Sequence, residues 1–302
     1  MISVVYTIAG AVLILAALRD LFHTLFHPAA QGAIGDWLAR RIWRFVRKEL
    51  PRHLTLAGPI AFVAVVLYWA ASIILGFALI YLPRLPHSFA FTHGLDPSTY
   101  ASFVGAVDVS ICAIITLSTG TYATSRWIQF LMGVEAIFGF ALLTASVSWI
   151  LSIYPVLEHR RSLAHAATLL HFSEATNFRR LEDVTDSDLH TILLSLTGQI
   201  TTSRNELTQF PITYYFHENE AQTALAGVLP YIADLARRFS GRNGAAGLGA
   251  FTLGGAIDDY LKLIAKSHLR CPFSSRDEIL RAFAHDQCRE MVAGPEATRR
   301  AA

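Results

Sequence analysis

Three long apolar stretches constrain the fold of this chain more than any other feature. Residues 2–18 and 59–82 carry no charged side chain, and residues 128–156 carry a single one, Glu135. A helix needs about 20 apolar residues to cross a bilayer, so the sequence predicts an all-α membrane protein with three transmembrane helices. Only 16% of the residues are charged, against about 25% in soluble domains. Residues 2–18 lack the basic leading segment and cleavage site of a signal peptide, so we expect the first helix to be retained.

The lysine and arginine residues are distributed unevenly between the loops, and this distribution sets the predicted orientation. Seven of them lie between the first two apolar stretches, whereas residues 83–127 contain only Arg84 and Arg126. Arg160 and Arg161 follow the third stretch directly. Because short cytoplasmic loops are enriched in basic residues, we expect a multi-pass protein of the cell (inner or plasma) membrane, with its N-terminus outside and its C-terminus in the cytoplasm.

The connection between the second and third stretches contains a shorter apolar run. Residues 103–117 read FVGAVDVSICAIITL, which is too short to span a bilayer and is typical of a re-entrant pore helix. Such a helix must return through non-helical backbone, which is tolerated at membrane depth only where protein buries it or water lines it. The predicted return segment is residues 116–124, TLSTGTYAT.

The order of these elements and the residues of the strip show a family resemblance. A helix, a short re-entrant helix, the pattern T-L-[ST]-T with a following tyrosine, and a final helix resemble the pore module of the two-helix pore-loop potassium channel superfamily. The family strip usually reads T-x-T-T-V-G-Y-G-D. Aligned without gaps, residues 116–119 match its first part and Tyr122 falls on the filter tyrosine. The resemblance covers roughly residues 54–154, and RDLFHTLFHP near the N-terminus is similar to an opening seen in bacterial proteins of this ion-channel type.

The resemblance implies that the strip forms the constriction of an ion pathway. In the family, one strip from each of four chains contributes rings of backbone carbonyls that replace the water shell of K+. The implied pathway residues here are Thr116, Ser118, Thr119, Gly120, Thr121, Tyr122 and Ala123. Thr121 and Ala123 replace both family glycines, and left-handed backbone angles would cost each about 1–2 kcal/mol. We therefore expect a homotetrameric pore for K+ or Na+ whose constriction departs from the standard potassium-selective ladder.

Two positions on the third apolar stretch are candidates for a role in gating. Gly139 falls where the family's inner helix often has a glycine hinge, and close packing of two helices explains a glycine there equally well. Glu135 lies one turn earlier on the same face, and an intramembrane carboxylate is costly enough to be a functional candidate. It would either face a water-filled cavity and attract cations or bond to the back of the pore helix. Asp108 is expected to cap the start of that helix.

Residues 37–50, WLARRIWRFVRKEL, predict an amphipathic helix at the cytoplasmic interface of the membrane. Apolar residues share one face at helical spacing, and arginines occupy much of the other; the apolar set is Leu38, Ile42, Phe45, Val46 and Leu50. Arginines at such a position can meet anionic headgroups, so membrane lipids are an expected partner. In the resembled family such a helix passes force to the pore; a passive anchor is the alternative.

The remainder of the chain reads as a helical cytoplasmic domain. Residues 185–188, TDSD, predict a capped helix start, and residues 240–249, SGRNGAAGLG, predict a flexible linker before helices at about 250–269 and 275–292. The predicted organisation is a first transmembrane helix (1–27), a loop with the interfacial helix (28–57), a pore module (58–156) and a helical cytoplasmic domain (157–302).

Gated passive transport of monovalent cations is the function that these features predict. The alternative is a non-conducting channel relative that serves as a membrane-anchored sensor or scaffold. We expect no enzymatic activity, no cofactor and no nucleic-acid partner, because no catalytic or nucleotide-binding motif stands out and the net charge is only +2. We expect no metal, because His23 and His27 share a helical face without a third ligand and the three cysteines lack zinc-like spacing.

Overall fold

The computed structural model describes residues 2–26, 32–93, 96–117, 120–176 and 180–292. Ser118 and Thr119 of the predicted ion pathway, and His27, lie outside the described residues. The chain divides into two compact units. The first, here called the membrane unit, comprises Met1–Ile42 and Ile60–Ser152, and the second, here called the helical unit, comprises Trp43–Pro59 and Ile153–Ala302.

Helices form most of the described chain. In chain order they are α1 (Ile2–Phe26), α2 (Ala33–Glu49), α3 (Ala57–Tyr81), α4 (Pro97–Tyr100), α5 (Phe103–Ile114), α6 (Arg126–Ala175), α7 (Asp186–Gln209), α8 (Leu225–Phe239), α9 (Ala245–Ile264) and α10 (Arg276–Asp286). Two short strands, β1 (Phe89–Phe91) and β2 (Thr121–Ala123), pair in antiparallel fashion. Three of the described helical segments are long and apolar enough to cross a membrane, namely Ile2–Leu25, Pro51–Arg84 and Arg126–Ala175, as the sequence predicts.

The third of these helices, α6, extends far beyond the apolar stretch that predicts it. The apolar stretch ends at residue 156, but α6 has 50 residues and continues to Ala175. Residues 157–175 are rich in leucine and alanine, which have high helix propensity. Pro155 lies inside the helix and does not end it. The end of the apolar stretch therefore marks where the apolar composition stops. The helix continues beyond it, for as long as the residues favour a helix.

The short helix α5 begins and ends with backbone geometry that the sequence predicts only in part. Ser102 caps its N-terminus, since the Ser102 hydroxyl accepts a hydrogen bond from the Gly105 amide at 3.1 Å. The expectation that Asp108 caps α5 is wrong, because Asp108 is the sixth residue of the helix. At the C-terminal end, Leu117 N donates to Cys112 O at 2.8 Å and Thr116 N lies 3.2 Å from Ala113 O. This bond pair is a Schellman motif, which ends the helix before the strip.

The predicted amphipathic helix is present as α2, and its apolar residues divide between the interior and the surface of the protein. Trp43 and Val46 are 3% and 4% exposed within the helical unit. Phe45 and Leu50, which the sequence places on the same face as Val46, are 61% and 45% exposed. Part of the predicted apolar face therefore packs inside the protein, and the rest lies on the surface beside the arginines.

The helical unit contains α7, α8, α9 and α10, together with the last part of α2 and the part of α6 from Ile153 onward, and its core is rich in leucine and isoleucine. Thr185 caps α7 by accepting from the Asp188 amide at 3.2 Å, which confirms the predicted helix start. The predicted linker at residues 240–249 is wrong in its second half, since α9 already begins at Ala245 and only residues 240–244 separate it from α8. Gly249 lies in α9, and a Cβ there would lie 3.3 Å from Leu193 Cβ on α7. Gly249 therefore permits close approach of α9 and α7 and does not mark a flexible segment.

Candidate functional site

The second half of the strip is a β-strand in the membrane unit. β2 pairs with β1 so that Phe89 lies opposite Ala123 and Phe91 lies opposite Thr121. At the start of β2, the carbonyl oxygen of Gly120 accepts from the Thr92 amide at 2.8 Å and from the Thr92 hydroxyl at 3.0 Å. This carbonyl therefore has two protein donors, which distinguishes it from the free carbonyls that a potassium-selective ladder presents to the ion.

The left-handed backbone angles of the strip lie at positions other than those of the family glycines. Gly120 has φ 78°, which glycine adopts without a clash. Thr116 has φ 57°, at a cost of about 1–2 kcal/mol for a residue with a Cβ. Thr121 and Ala123, which stand where the family has glycine, belong to the extended strand β2. The replacement of the two glycines thus coincides with a different backbone path.

The described side chains of the strip divide into a buried and an exposed set. Thr121 and Ala123 are each 8% exposed, and their side chains point to the same side of β2. Tyr122 between them is 55% exposed. Thr116 is exposed at the turn that ends α5. Among the described residues of the predicted pathway, Thr116 and Tyr122 therefore have the exposed side chains in a single chain.

Glu135 is completely buried, and both of its oxygens accept hydrogen bonds from neighbouring elements. The Tyr81 hydroxyl on α3 donates to Oε2 at 2.8 Å, and the Ser110 hydroxyl on α5 donates to Oε1. Two roles are expected for this carboxylate, namely to face a water-filled cavity or to bond to the back of the short helix. The structure has the hydrogen bond to the short helix α5. Glu135 thus connects α3, α5 and α6 and fixes α5 between the two longer helices.

Gly139 lies where α6 crosses the C-terminal end of α5. A Cβ at this position would overlap the carbonyl oxygen of Ile114 and would lie 2.7 Å from Ile114 Cγ1. The helix α6 continues through Gly139 without interruption. In this structure the glycine therefore serves close packing, and it places α6 directly against the residue that precedes the strip.

Sequence reasoning missed a second buried carboxylate in the membrane unit. Asp20 on α1 is 7% exposed, and its Oδ2 accepts from the Trp69 indole N–H on α3 at 2.9 Å. Its Oδ1 lies 3.3 Å from the Ile34 amide at the start of α2. The available signal was an acidic residue two positions after an uncharged stretch, inside the segment RDLFHTLFHP.

A third carboxylate joins α2 to α10 in the helical unit, and no sequence pattern pointed to it. Asp286 Oδ2 accepts from the Tyr214 hydroxyl at 2.6 Å and from the Trp43 indole at 3.2 Å. Arg47 forms an ion pair with Oδ1 at 2.7 Å. Asp286 therefore connects α2 to α10 and to Tyr214 within the helical unit.

Residues 217 and 218 take part in an arginine cluster of the helical unit. Arg160 and Arg161 both form ion pairs with Glu218, at 2.9 and 2.5 Å. Arg289 lies 3.2 Å from His217 Nε2; burial, with Arg289 as a second cause, lowers the pKa of His217 from 6.5 to about 4. His217 is therefore neutral at neutral pH. Within the described residues, no group of three or more His, Cys, Asp or Glu side chains could hold a metal ion.

By its fold, the chain is an all-α protein with three helices that can cross a membrane. The chain is similar to an uncharacterized membrane protein, YdjJ, of Bacillus subtilis (strain 168), with 27% identity over 226 residues. The match covers 72% of this chain and 64% of the relative, so it spans less than two thirds of the relative's length. No protein-family model and no solved structure matches the chain. The relative's name and the three apolar helices together indicate that the chain is a membrane protein with transmembrane helices.

Proposed function

We propose that this protein is a subunit of a homotetrameric pore-loop assembly through which monovalent cations, K+ or Na+, pass down their gradient. The observation that carries the proposal is α5, a twelve-residue apolar helix that stands between two helices able to cross a membrane. It is followed by a non-helical strip. One chain supplies one strip, so a ring of four copies would enclose a path.

The contacts of α5 support a fixed position for the strip. Glu135 receives hydrogen bonds from Ser110 on α5 and from Tyr81 on α3. Gly139 brings α6 against the last residue of α5, Ile114. The C-terminal end of a helix carries a partial negative charge of about half an elementary charge. A helix that ends beside the strip therefore favours a cation over an anion at that place.

The constriction that we propose is not the standard potassium-selective one. It would consist of the exposed part of the strip, with Thr116 at one end and Tyr122 at the other. Because Gly120 O is already bonded to Thr92, fewer backbone carbonyls are available to replace the water shell of K+. We therefore expect cation flux that discriminates weakly between K+ and Na+. The assembly would lie in the cell membrane with the helical unit in the cytoplasm.

A second candidate is a non-conducting relative that acts as a membrane-anchored sensor or scaffold through the helical unit. The pairing of β1 with β2 favours it, since three residues on each side of the pair have backbone groups committed to the ladder. The bonds of Asp286 to Trp43, Arg47 and Tyr214 also connect separate segments within the helical unit, on which such a scaffold would rely.

Ion flux into liposomes that carry the purified full-length protein separates the two candidates. Flux is measured for K+, for Na+ and without a gradient, over a range of pH and applied potential, on samples in which a tetramer has been verified by native mass spectrometry. The Tyr122→Ala variant alters an exposed strip residue. The Tyr6→Ala variant is its control, because Tyr6 is an exposed tyrosine on α1, 37% accessible.

Cation flux that changes in Tyr122→Ala and not in Tyr6→Ala would support the pore. Strong selectivity for K+ would contradict the reshaped constriction while leaving the pore in place. An absence of flux from a verified tetramer under every gradient and potential would overturn the conducting function in favour of the scaffold.

A further inference from the structure

A small cavity in the helical unit is lined by polar atoms that the surrounding side chains leave without partners. Its volume is about 30 Å³, and residues of α6, α7, α8, α9 and α10 border it. Three of its lining residues, Ser203, Glu206 and Arg289, each have a buried polar atom with no hydrogen-bond partner among the described residues, namely Oγ, Oε2 and Nε. Buried polar atoms are almost always bonded to protein or to ordered water. Three such atoms on the lining of one cavity therefore point to a bound molecule.

The hydroxyl of Ser203 differs from the other hydroxyls of the same part of α7. Thr197, Thr201 and Thr208 each donate to the carbonyl oxygen four residues earlier, at 2.8, 2.8 and 3.0 Å, which is the bond that a hydroxyl inside a helix can take. Ser203 is 5% exposed, and its hydroxyl makes no such bond. This hydroxyl therefore has both its proton and its lone pairs left for a molecule in the cavity.

The other two atoms supply one acceptor and one donor. Glu206 lies three residues after Ser203, on the same side of α7; its Oε1 is 2.6 Å from His159 Nδ1 on α6, whereas its Oε2 has no partner among the described residues. Arg289 follows α10, and its Nη2 donates to Glu218 O while its Nε is left. A molecule that both donates and accepts hydrogen bonds can satisfy the carboxylate oxygen, the guanidinium nitrogen and the hydroxyl together.

The size and the charge of the cavity define that molecule further. A water molecule needs about 10–15 Å³ of accessible space and about two to four polar partners, so a cavity of about 30 Å³ has room for one or two. The charged lining residues are Arg160 and Arg289 on one side of the balance and Glu206 and Glu218 on the other. His217, which also lines the cavity, is neutral at neutral pH. The lining therefore has no net charge and favours a neutral molecule over an ion.

We propose that this cavity is a binding site for an ordered water molecule, which accepts a hydrogen bond from Arg289 Nε and bonds to the Ser203 hydroxyl and Glu206 Oε2. The water connects α7 to the segment that follows α10, and through the bond between Glu206 and His159 it extends this connection to α6. The inference does not depend on the pore, because every residue that it uses lies in the helical unit.

Crystal structures of the full-length protein in detergent, obtained with K+ and with Rb+ as the monovalent cation, test the proposal. We expect a peak of electron density about 2.5–3.2 Å from Ser203 Oγ, equal in the two salts and without anomalous signal from Rb+. Ordered waters elsewhere in the helical unit are the internal standard for the density. In Ser203→Ala the peak should be lost. Thr201→Ala is the matched control, because the Thr201 hydroxyl is bonded within α7 on an exposed residue, and this variant should keep the peak.

Circular dichroism checks that both variants fold. An anomalous signal from Rb+ at the peak would overturn the proposal in favour of a monovalent cation. A cavity without density in crystals that show the other ordered waters would overturn it as well. A peak of equal height in Ser203→Ala and in the unchanged protein would contradict the role of Ser203, on which the assignment of the site rests.

Discussion

Replacing Gly139 by alanine separates the two interpretations of this glycine by the sign of its effect. If Gly139 were only a flexible point in α6, alanine would stabilise the helix, because glycine in a helix interior costs about 1 kcal/mol relative to alanine. If it serves close packing, the added methyl group must overlap Ile114 at the end of α5. The structure favours the second result.

The magnitude follows from the atoms that the new methyl group would meet. Overpacking costs about 1–3 kcal/mol, and the overlapping atom here is a backbone carbonyl oxygen, which cannot rotate away as the end of a side chain can. After subtraction of the gain in helix propensity, Gly139→Ala should lower the free energy of unfolding by up to about 2 kcal/mol. Because Ile114 precedes the strip, the same change should also alter cation flux.

Gly133 provides the matched control on the same helix. No atom lies within 4 Å of the position that its Cβ would occupy, so Gly133→Ala should raise the free energy of unfolding by up to about 1 kcal/mol. Both variants are compared by denaturant unfolding of the purified full-length protein in detergent, followed by circular dichroism. A stabilisation of Gly139→Ala equal to that of Gly133→Ala would refute the packing argument and restore the hinge.

Four further substitutions test the buried and partly buried polar groups. Glu135→Ala should lower the free energy of unfolding by about 1–3 kcal/mol because the Tyr81 hydroxyl loses its acceptor, measured by the same unfolding assay. Ser110→Ala should give a smaller loss, and in Glu135→Ala the Ser110 hydroxyl keeps Ile74 O as an acceptor at 2.9 Å. Asp286→Ala should destabilise the helical unit by about 1–3 kcal/mol because a buried tyrosine hydroxyl loses its acceptor, and protease digestion should cut the unit faster. The pKa of His217 is lowered from 6.5 to about 4 in the folded protein. Between these two pH values unfolded chains bind more protons than folded chains do, so stability should fall as the pH decreases from 6.5 to about 4. His217→Gln should flatten this pH dependence of the unfolding midpoint.

The elements that the sequence predicted well are those whose signal is local. The length and polarity of the apolar stretches predicted three helices that can cross a membrane, and the run at residues 103–117 predicted the short helix α5. Thr185, followed by acidic residues, predicted the start of α7. Each of these signals lies within a stretch about as long as one helix. Packing against distant parts of the chain did not override it.

The elements that the sequence predicted poorly depend on partners far along the chain. The strand β2 forms because residues 89–91 pair with it, and a three-residue segment has no periodicity from which to predict such a partner. The glycines near residue 247 suggest a linker by composition, but Gly249 allows α9 to approach Leu193 on α7. Trp43 is buried beside Asp286 and Tyr214, whereas Phe45 two residues later is exposed.

Four carboxylates of the two units share one feature, which is a hydrogen bond from an aromatic side chain of another segment. Asp20 accepts from Trp69, Glu135 from Tyr81, Glu174 from Tyr231 and Asp286 from Tyr214. The buried Glu218 differs, because Arg160 and Arg161 bind it instead. In the helical unit an arginine joins each pair, Arg238 at Glu174 and Arg47 at Asp286. In the membrane unit, the described hydrogen bonds of Asp20 and Glu135 come from an indole, hydroxyls and a backbone amide. A second charge in apolar surroundings adds a desolvation penalty of several kcal/mol, whereas a neutral aromatic donor satisfies the carboxylate without one. The difference in donors between the two units thus follows the polarity of their surroundings, and it agrees with a membrane location for the first.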